Sequence, residues 1–225
     1  MRTFLFYAIL LFVISMTSFA NEPTCQLGSL GPVSDSLVPV FSKSGNIYYR
    51  NNSGHTIQIT RTAKDSSPVL SPNKKMIVFV RIGDQVIPDS CDINAKYGNE
   101  IWLYDFATKK EKRLVKNNFD CDKPKKQIVD PDNLLFSPDS RTLYFETSAW
   151  VTSGAVHAVD INGKHLRFLT DGSELRVVQS GPYKGDLIVN QHRYRFKGDT
   201  PLGSYDWDWL FTPTGKQIKL YKKED

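Results

Sequence analysis

The chain has 225 residues, 40% of them hydrophobic, with 29 Lys and Arg against 24 Asp and Glu and a formal net charge of +5. Basic and acidic residues are interleaved instead of forming one arm, which argues against a nucleic-acid binder. The length suffices for one domain with a sizeable core.

Residues 1–20 read as a secretory signal peptide. Arg2 is their only charge, Phe4 to Val13 is continuously apolar, and Ser18-Phe19-Ala20 places small residues just before Asn21. The apolar run is shorter than the roughly twenty residues that span a bilayer. Residues 21–36 form an N-terminal extension, in which Cys25 follows Glu22-Pro23-Thr24 and lacks the small and aliphatic approach of a lipidation site. Export predicts a periplasmic or secreted protein, folded where cysteines oxidise. Cys25, Cys91 and Cys121 allow three single pairings, among which spacing does not choose.

From residue 37 to 225 the chain is a succession of short β-prone runs with almost no helical periodicity. Strand, polar turn and strand recur in "IYYRNNSGHTIQIT" from Ile47, "IWLYDFATKKEKRLV" from Ile101, "VHAVDINGKHLRFLT" from Val156 and "WLFTPTGKQIKLY" from Trp209, at spacings of 54, 55 and 53 residues. Turn residues such as Asn162-Gly163 and Thr214-Gly215 tolerate tight or left-handed backbone. A second series precedes these hairpins: "PVLSPNKKMIVFVR" from Pro68, "LLFSPDSRTLYFET" from Leu134 and the degraded "VVQSGPYKGDLIVN" from Val177. Pro72 and Pro138 preset φ at a turn corner, and Asn73 or Asp139 can cap it. Together the two series predict four-stranded antiparallel units with a period of about fifty residues, the pattern of β-propeller blades.

Ser71-Pro72-Asn73-Lys74-Lys75 and Ser137-Pro138-Asp139-Ser140-Arg141, each leading into an aliphatic and aromatic strand, with Leu169-Thr170 closing a hairpin, resemble the TolB-type, WD40-like propeller repeat. The resemblance covers most of Ile47 to Tyr221. It implies an all-β fold of about four blades of four antiparallel strands, as a small closed or incomplete ring. The translocation protein of that family carries an N-terminal α/β domain before six blades, and this sequence shows the pattern of neither. Three units are complete and the first keeps its second half, with Leu37 to Phe41 as a candidate inner strand. The family's binding of envelope proteins implies a protein-binding or scaffolding role. The interleaved charges predict no nucleic-acid partner, the lack of a second long apolar stretch predicts no membrane span after cleavage, and an incomplete ring leaves a monomer or a homodimer open.

In such a ring, lysine-rich turns such as Lys43, Lys74, Lys75, Lys109 and Lys110 fall on one face. The loops between second and third strands, with the connectors between blades, form an opposite, acidic face. Cys91 and Cys121 both fall on that second face and become the candidate disulfide, holding two long insertions. Loops on a rigid scaffold carry function, so the binding-face candidates are Tyr97, Trp150, Tyr205, Trp207, Asp89 and Asp92. Aromatic residues of this kind supply contact area at low entropic cost.

Catalytic patterns are scarce. No Gly-x-Ser-x-Gly elbow occurs, so a serine-peptidase activity is not expected and the chain reads as non-enzymatic. No cofactor is expected. "DSCDINAKYGNE" offers Asp89, Asp92, Asn94 and Glu100 as weak oxygen ligands for calcium, but Lys96 occupies a ligand position of the EF-hand template. His55, His157, His165 and His192 lack zinc spacing, and His157 and His165 are expected to face each other across one hairpin. The alternative function is a small-molecule, saccharide or cation site at the ring mouth, with hydrolytic chemistry open.

Overall fold

The computed structural model describes residues 39–91 and 96–223. Residues 1–20, where a signal peptide is expected, the expected 21–36 extension with Cys25, and Leu37, Asp92 and Asn94 lie outside the described residues. The described residues form four antiparallel sheets, in each of which sequence neighbours are also spatial neighbours. Sheet 1 holds β1 (Val40–Lys43), β2 (Asn46–Arg50) and β3 (Thr56–Gln58). Sheet 2 holds β4 (Asp65–Leu70), β5 (Met76–Val86), β6 (Tyr97–Asp105) and β7 (Lys110–Val115). Sheet 3 holds β8 (Asp132–Phe136), β9 (Thr142–Trp150), β10 (Ser153–Asp160) and β11 (Arg167–Asp171). Sheet 4 holds β12 (Ser173–Val177), β13 (Leu187–Lys197), β14 (Thr200–Phe211) and β15 (Gln217–Lys223). Among the described residues the only helical segment is the short 3-10 turn Asp89–Cys91.

The Ser-Pro turns fold as their sequence dictates, and the two copies are built alike. In the turn between β4 and β5 the Ser71 hydroxyl donates to Asn73 Oδ1 at 2.8 Å and accepts the Met76 amide at 3.0 Å. Between β8 and β9 the Ser137 hydroxyl donates to Asp139 Oδ1 at 2.6 Å and accepts the Thr142 amide at 2.9 Å. Lys74 and Ser140 both take left-handed backbone, φ 57° and 61°. Ser140 Oγ also accepts the Asn73 amide at 3.1 Å, which ties one turn to the other across the sheets.

Alternation along the middle strands sorts the core into three clusters. In β5, Ile77 and Phe79 face sheet 1, where they meet Val40 and Ile47. Val78 and Val80 face the other way and pack with Phe136, Leu143 and Phe145 of sheet 3. In β9, Leu143 and Phe145 turn toward sheet 2, while Tyr144 joins Leu175, Leu187, Val189 and Phe211 against sheet 4. A middle strand covered on both faces reads as an unbroken apolar run, as in Met76 to Val80, because both pleat faces leave water. Three clusters join four sheets in sequence, and among the described residues no fourth cluster joins sheet 4 to sheet 1. Among the described residues the array is therefore an open arc, the incomplete of the two expected forms.

Sheet 1 corrects one expectation. The carbonyl of Gly45, in the β1–β2 turn, accepts the amide of Asp65, the first residue of β4, at 2.8 Å. Gly45 has φ +69°, and a Cβ there would overlap the Ala63 backbone. In sheet 3 the equivalent contact is made by the hairpin between second and third strands, where Gly154 accepts the Gly172 amide at 2.9 Å. The strand at Val40–Lys43 is thus a second strand, not an inner one, and Lys43 lies beside the connectors instead of on the lysine-rich face. His165 departs similarly: it sits in the turn before β11 and bonds Asp160 Oδ2 at 2.7 Å, while His157 pairs with Phe168.

Candidate binding face

The connectors between sheets and the hairpins between second and third strands share one face. The 116–131 connector is its most elaborate part. The expected bridge is present: Cys91, in the 3-10 turn after β5, is disulfide-bonded to Cys121 with Cα atoms 5.2 Å apart. Asn118 and Ile128 then exchange backbone hydrogen bonds of 3.0 and 2.9 Å, and Gln127 Nε2 donates to the Ser148 carbonyl at 3.3 Å. Ile128 and Val129 are buried beneath. These contacts seat a segment without regular structure on sheet 3.

Trp150, at the end of β9, is 38% exposed and packs edge-on to Phe168 with ring centres 6.4 Å apart. It borders a cavity of about 340 Å³ shared with Asp132, Glu146, Ser148, Ser153 and Ser173. Glu146 Oε1 accepts the Leu175 amide at 2.7 Å and the Asn133 side-chain amide at 2.5 Å. Burial first, then the neighbouring Glu146 and Asp130, push the Asp132 carboxyl up to about 6. Asp130 and Asn133 both hold left-handed backbone, φ 50° and 42°, an uncommon conformation for side-chain-bearing residues. Hydroxyls and an indole surround this pair of carboxyl groups.

The third part is the β13–β14 hairpin. Among the described residues the flanking strands pair with it only as far as Asn190 on β13 and Trp207 on β14, so residues 192–206 pair only with one another. A bare two-stranded ribbon is marginal in water, and side chains stabilise this one. Register places Arg193 opposite Tyr205 and Gln191 opposite Trp207. The Arg193 guanidinium lies 3.9 Å from the Trp209 ring centre, and Arg195 lies 5.0 Å from Tyr205 and 5.3 Å from Trp207. Tyr205 and Trp207 are 4.1 Å apart. Each such cation–π contact contributes about 0.5–1 kcal/mol at exposed sites. On the other face, His192 bonds Asp206 at 2.8 Å. Tyr194, Phe196 and Leu202 stand 57%, 61% and 61% exposed toward the tip.

Tyr205 and Trp207, expected on a loop, are therefore strand residues on a projecting ribbon. Sequence-predicted residues are shared among three sheets. Tyr97, 38% exposed, pairs with Val86 at the start of β6, with the Lys96 ammonium 5.2 Å from its ring centre. Asp89 is exposed in the 3-10 turn. Glu100 is engaged: it pairs with Arg113 at 3.1 Å and accepts the Trp102 indole N–H at 3.2 Å. Among the described residues no cluster of three His, Cys, Asp or Glu could hold a metal ion. The Asp132–Glu146 pair and the arginines of the ribbon were not singled out from sequence. Their signal was present, in Arg193 and Arg195 alternating opposite Tyr205, Trp207 and Trp209.

Comparison with known proteins returns no matching family model and no matching curated protein. Solved structures do match. Porphyromonas gingivalis dipeptidyl peptidase 4 superposes with a TM-score of 0.56 at 10% identity, over 82% of this chain and 31% of that one. The fold is a β-propeller, incomplete among the described residues. The propeller domain of the Trilobed protease from Pyrococcus furiosus matches at TM-score 0.48 and 16% identity, over 79% of this chain and 49% of that one. A protein assigned to TolB from Agrobacterium tumefaciens matches at 0.45 and 15%, over 79% and 62%. This chain thus spans less than two thirds of each of those chains, and the likeness concerns fold alone.

Proposed function

We propose that this chain is an exported, TolB-like propeller module that binds a protein partner in the cell envelope through its connector face. The observation that carries the reading is the projecting β13–β14 ribbon: Tyr194, Phe196 and Leu202 stand exposed on a scaffold stiffened by Arg193 and Arg195. A rigid ribbon with aromatic anchors loses little conformational entropy on docking, which favours specific association. The Cys91–Cys121 bridge supports an oxidising location, since structural disulfides persist in exported proteins. The Ser-Pro-Asx turns carry the resemblance to TolB-type repeats, and the non-enzymatic part of the reading rests on the missing hydrolase elbow.

The test is crosslinked capture from the native envelope using tagged protein and a Tyr194→Ser, Phe196→Ser variant. Both side chains are more than half exposed, so the variant keeps its core. One reproducible partner captured by the parent and lost at least tenfold by the variant is the expected result. Equal capture by both proteins would remove the ribbon from the interface. No specific partner with folded, oxidised protein would overturn the reading and direct attention to polyhydroxylated ligands at the Trp150 cavity.

A further inference from the structure

A second cavity, of about 450 Å³, lies between the 116–131 connector and the outer part of sheet 3. Lys125, Lys126 and Ile128 border it from the connector, and Leu166, Arg167, Phe168 and His157 from sheet 3. Its rim carries positive charge that the protein leaves uncompensated. Arg167 is diverted to the His165 carbonyl at 3.0 Å and to Asp160 at 3.7 Å. No carboxylate pairs with Lys125 or Lys126 among the described residues, although Asp120 holds the neighbouring Lys123 at 3.3 Å. Connector hydrogen bonds fix where Lys126 stands: its amide donates to the Lys123 carbonyl at 2.7 Å, and its carbonyl accepts from Asn118 Nδ2 at 2.7 Å.

The floor is apolar with one polar exception. His157 is 1% exposed, stacked on Phe145 at 5.4 Å and edge-on to Phe168 at 5.8 Å, and its Nε2 is buried with no hydrogen-bond partner. An orphaned buried ring nitrogen costs free energy that a bound group can recover. The Lys125 ammonium lies 5.4 Å from the same Phe168 ring, so cation and imidazole flank one aromatic surface.

We propose that this cavity binds a small amphipathic carboxylate, with its head between His157, Lys125 and Lys126 and its apolar body against Leu166 and Phe168. Charge selects the head, because two unpaired ammonium groups over a low-dielectric floor favour an anion. Shape and apolar lining select the body, as in ligand sites of this size generally.

The test is calorimetric titration of the purified, oxidised protein with decanoate, decanol and inorganic sulfate, alongside a Lys125→Gln, Lys126→Gln variant. Both lysines are exposed, so the variant should melt with the parent. The expected result is one saturable decanoate site, weakened about tenfold or more in the variant. Decanol and sulfate should each bind at least tenfold more weakly than decanoate. Imidazole resonances of His157 should move with decanoate in the parent. Decanol binding as well as decanoate, undiminished binding by the variant, an unmoved His157, or no saturation at millimolar decanoate would each overturn the proposal.

Discussion

Replacing His157 with phenylalanine removes one buried imidazole and keeps the aromatic stack between Phe145 and Phe168. Burial lowers the pKa of His157 from 6.5 to about 4. Between those values the unfolded chain binds the proton and the folded chain does not. The contribution of His157 is therefore complete above pH 6.5 and is lost as pH falls toward 4. Linkage puts the loss at about 2 kcal/mol by pH 5 and about 3 kcal/mol at full protonation. Other groups are separable. Side-chain hydrogen bonds to Lys64 and Ser137 hold Asp84 and Asp139 below the ordinary carboxylate range, and the Thr108 amide does so for Asp105, so their effects emerge in stronger acid. Asp132, raised to about 6, acts in the opposite sense, because the folded state takes up its proton first. For that reason the comparison is between parent and His157→Phe, not between two pH values alone. Urea denaturation followed by tryptophan fluorescence at pH 7 and pH 5 reads it directly. The parent should lose about 2 kcal/mol more than the variant across that interval. Equal losses would refute the account of His157 as a neutral, desolvated group.

The disulfide and the Ser-Pro turns give two further measurements. Cys91 and Cys121 close a separation of 30 residues, and replacing both with serine should lower unfolding free energy by about 3–4 kcal/mol in the chain-entropy model. A urea midpoint shared with the oxidised parent would show that the connector is held by its hydrogen bonds alone. Ser137→Ala removes a hydroxyl that both donates to Asp139 and accepts the Thr142 amide, and should cost about 1–2 kcal/mol, as should Ser71→Ala at its twin. A loss below about 0.5 kcal/mol at either position, read by thermal melting, would mean that the proline alone sets the turn.

The sequence by itself determined the local units. Ser71-Pro72-Asn73 and Ser137-Pro138-Asp139 specify their turns through bonds made within five residues, and the runs around Val78 and Leu143 specify strands through side-chain period. Local chemistry of this kind repeats wherever the residues repeat, so unit spacing and strand order were legible. The same holds for the Cys91–Cys121 pair once both were assigned to one face. What the sequence left open depends on pairings between distant segments. Whether the arc closes rests on a face of sheet 4 meeting sheet 1, and no turn motif encodes that. Val40–Lys43 took the second-strand position because Gly45 docks beside Ala63, a contact invisible to periodicity. Tyr205 and Trp207 read as loop residues among Gly, Ser and Asp, and became strand residues on a ribbon where Arg195 covers both rings and Arg193 covers Trp209. The isolation of His157 carried no sequence signal: it comes from Phe145 directly opposite on β9, Phe168 opposite on β11, and a connector whose Lys125, Lys126 and Ile128 border the same cavity. Tertiary structure decided these points because burial, and the charge state it imposes, belong to the assembled sheets and to no single strand.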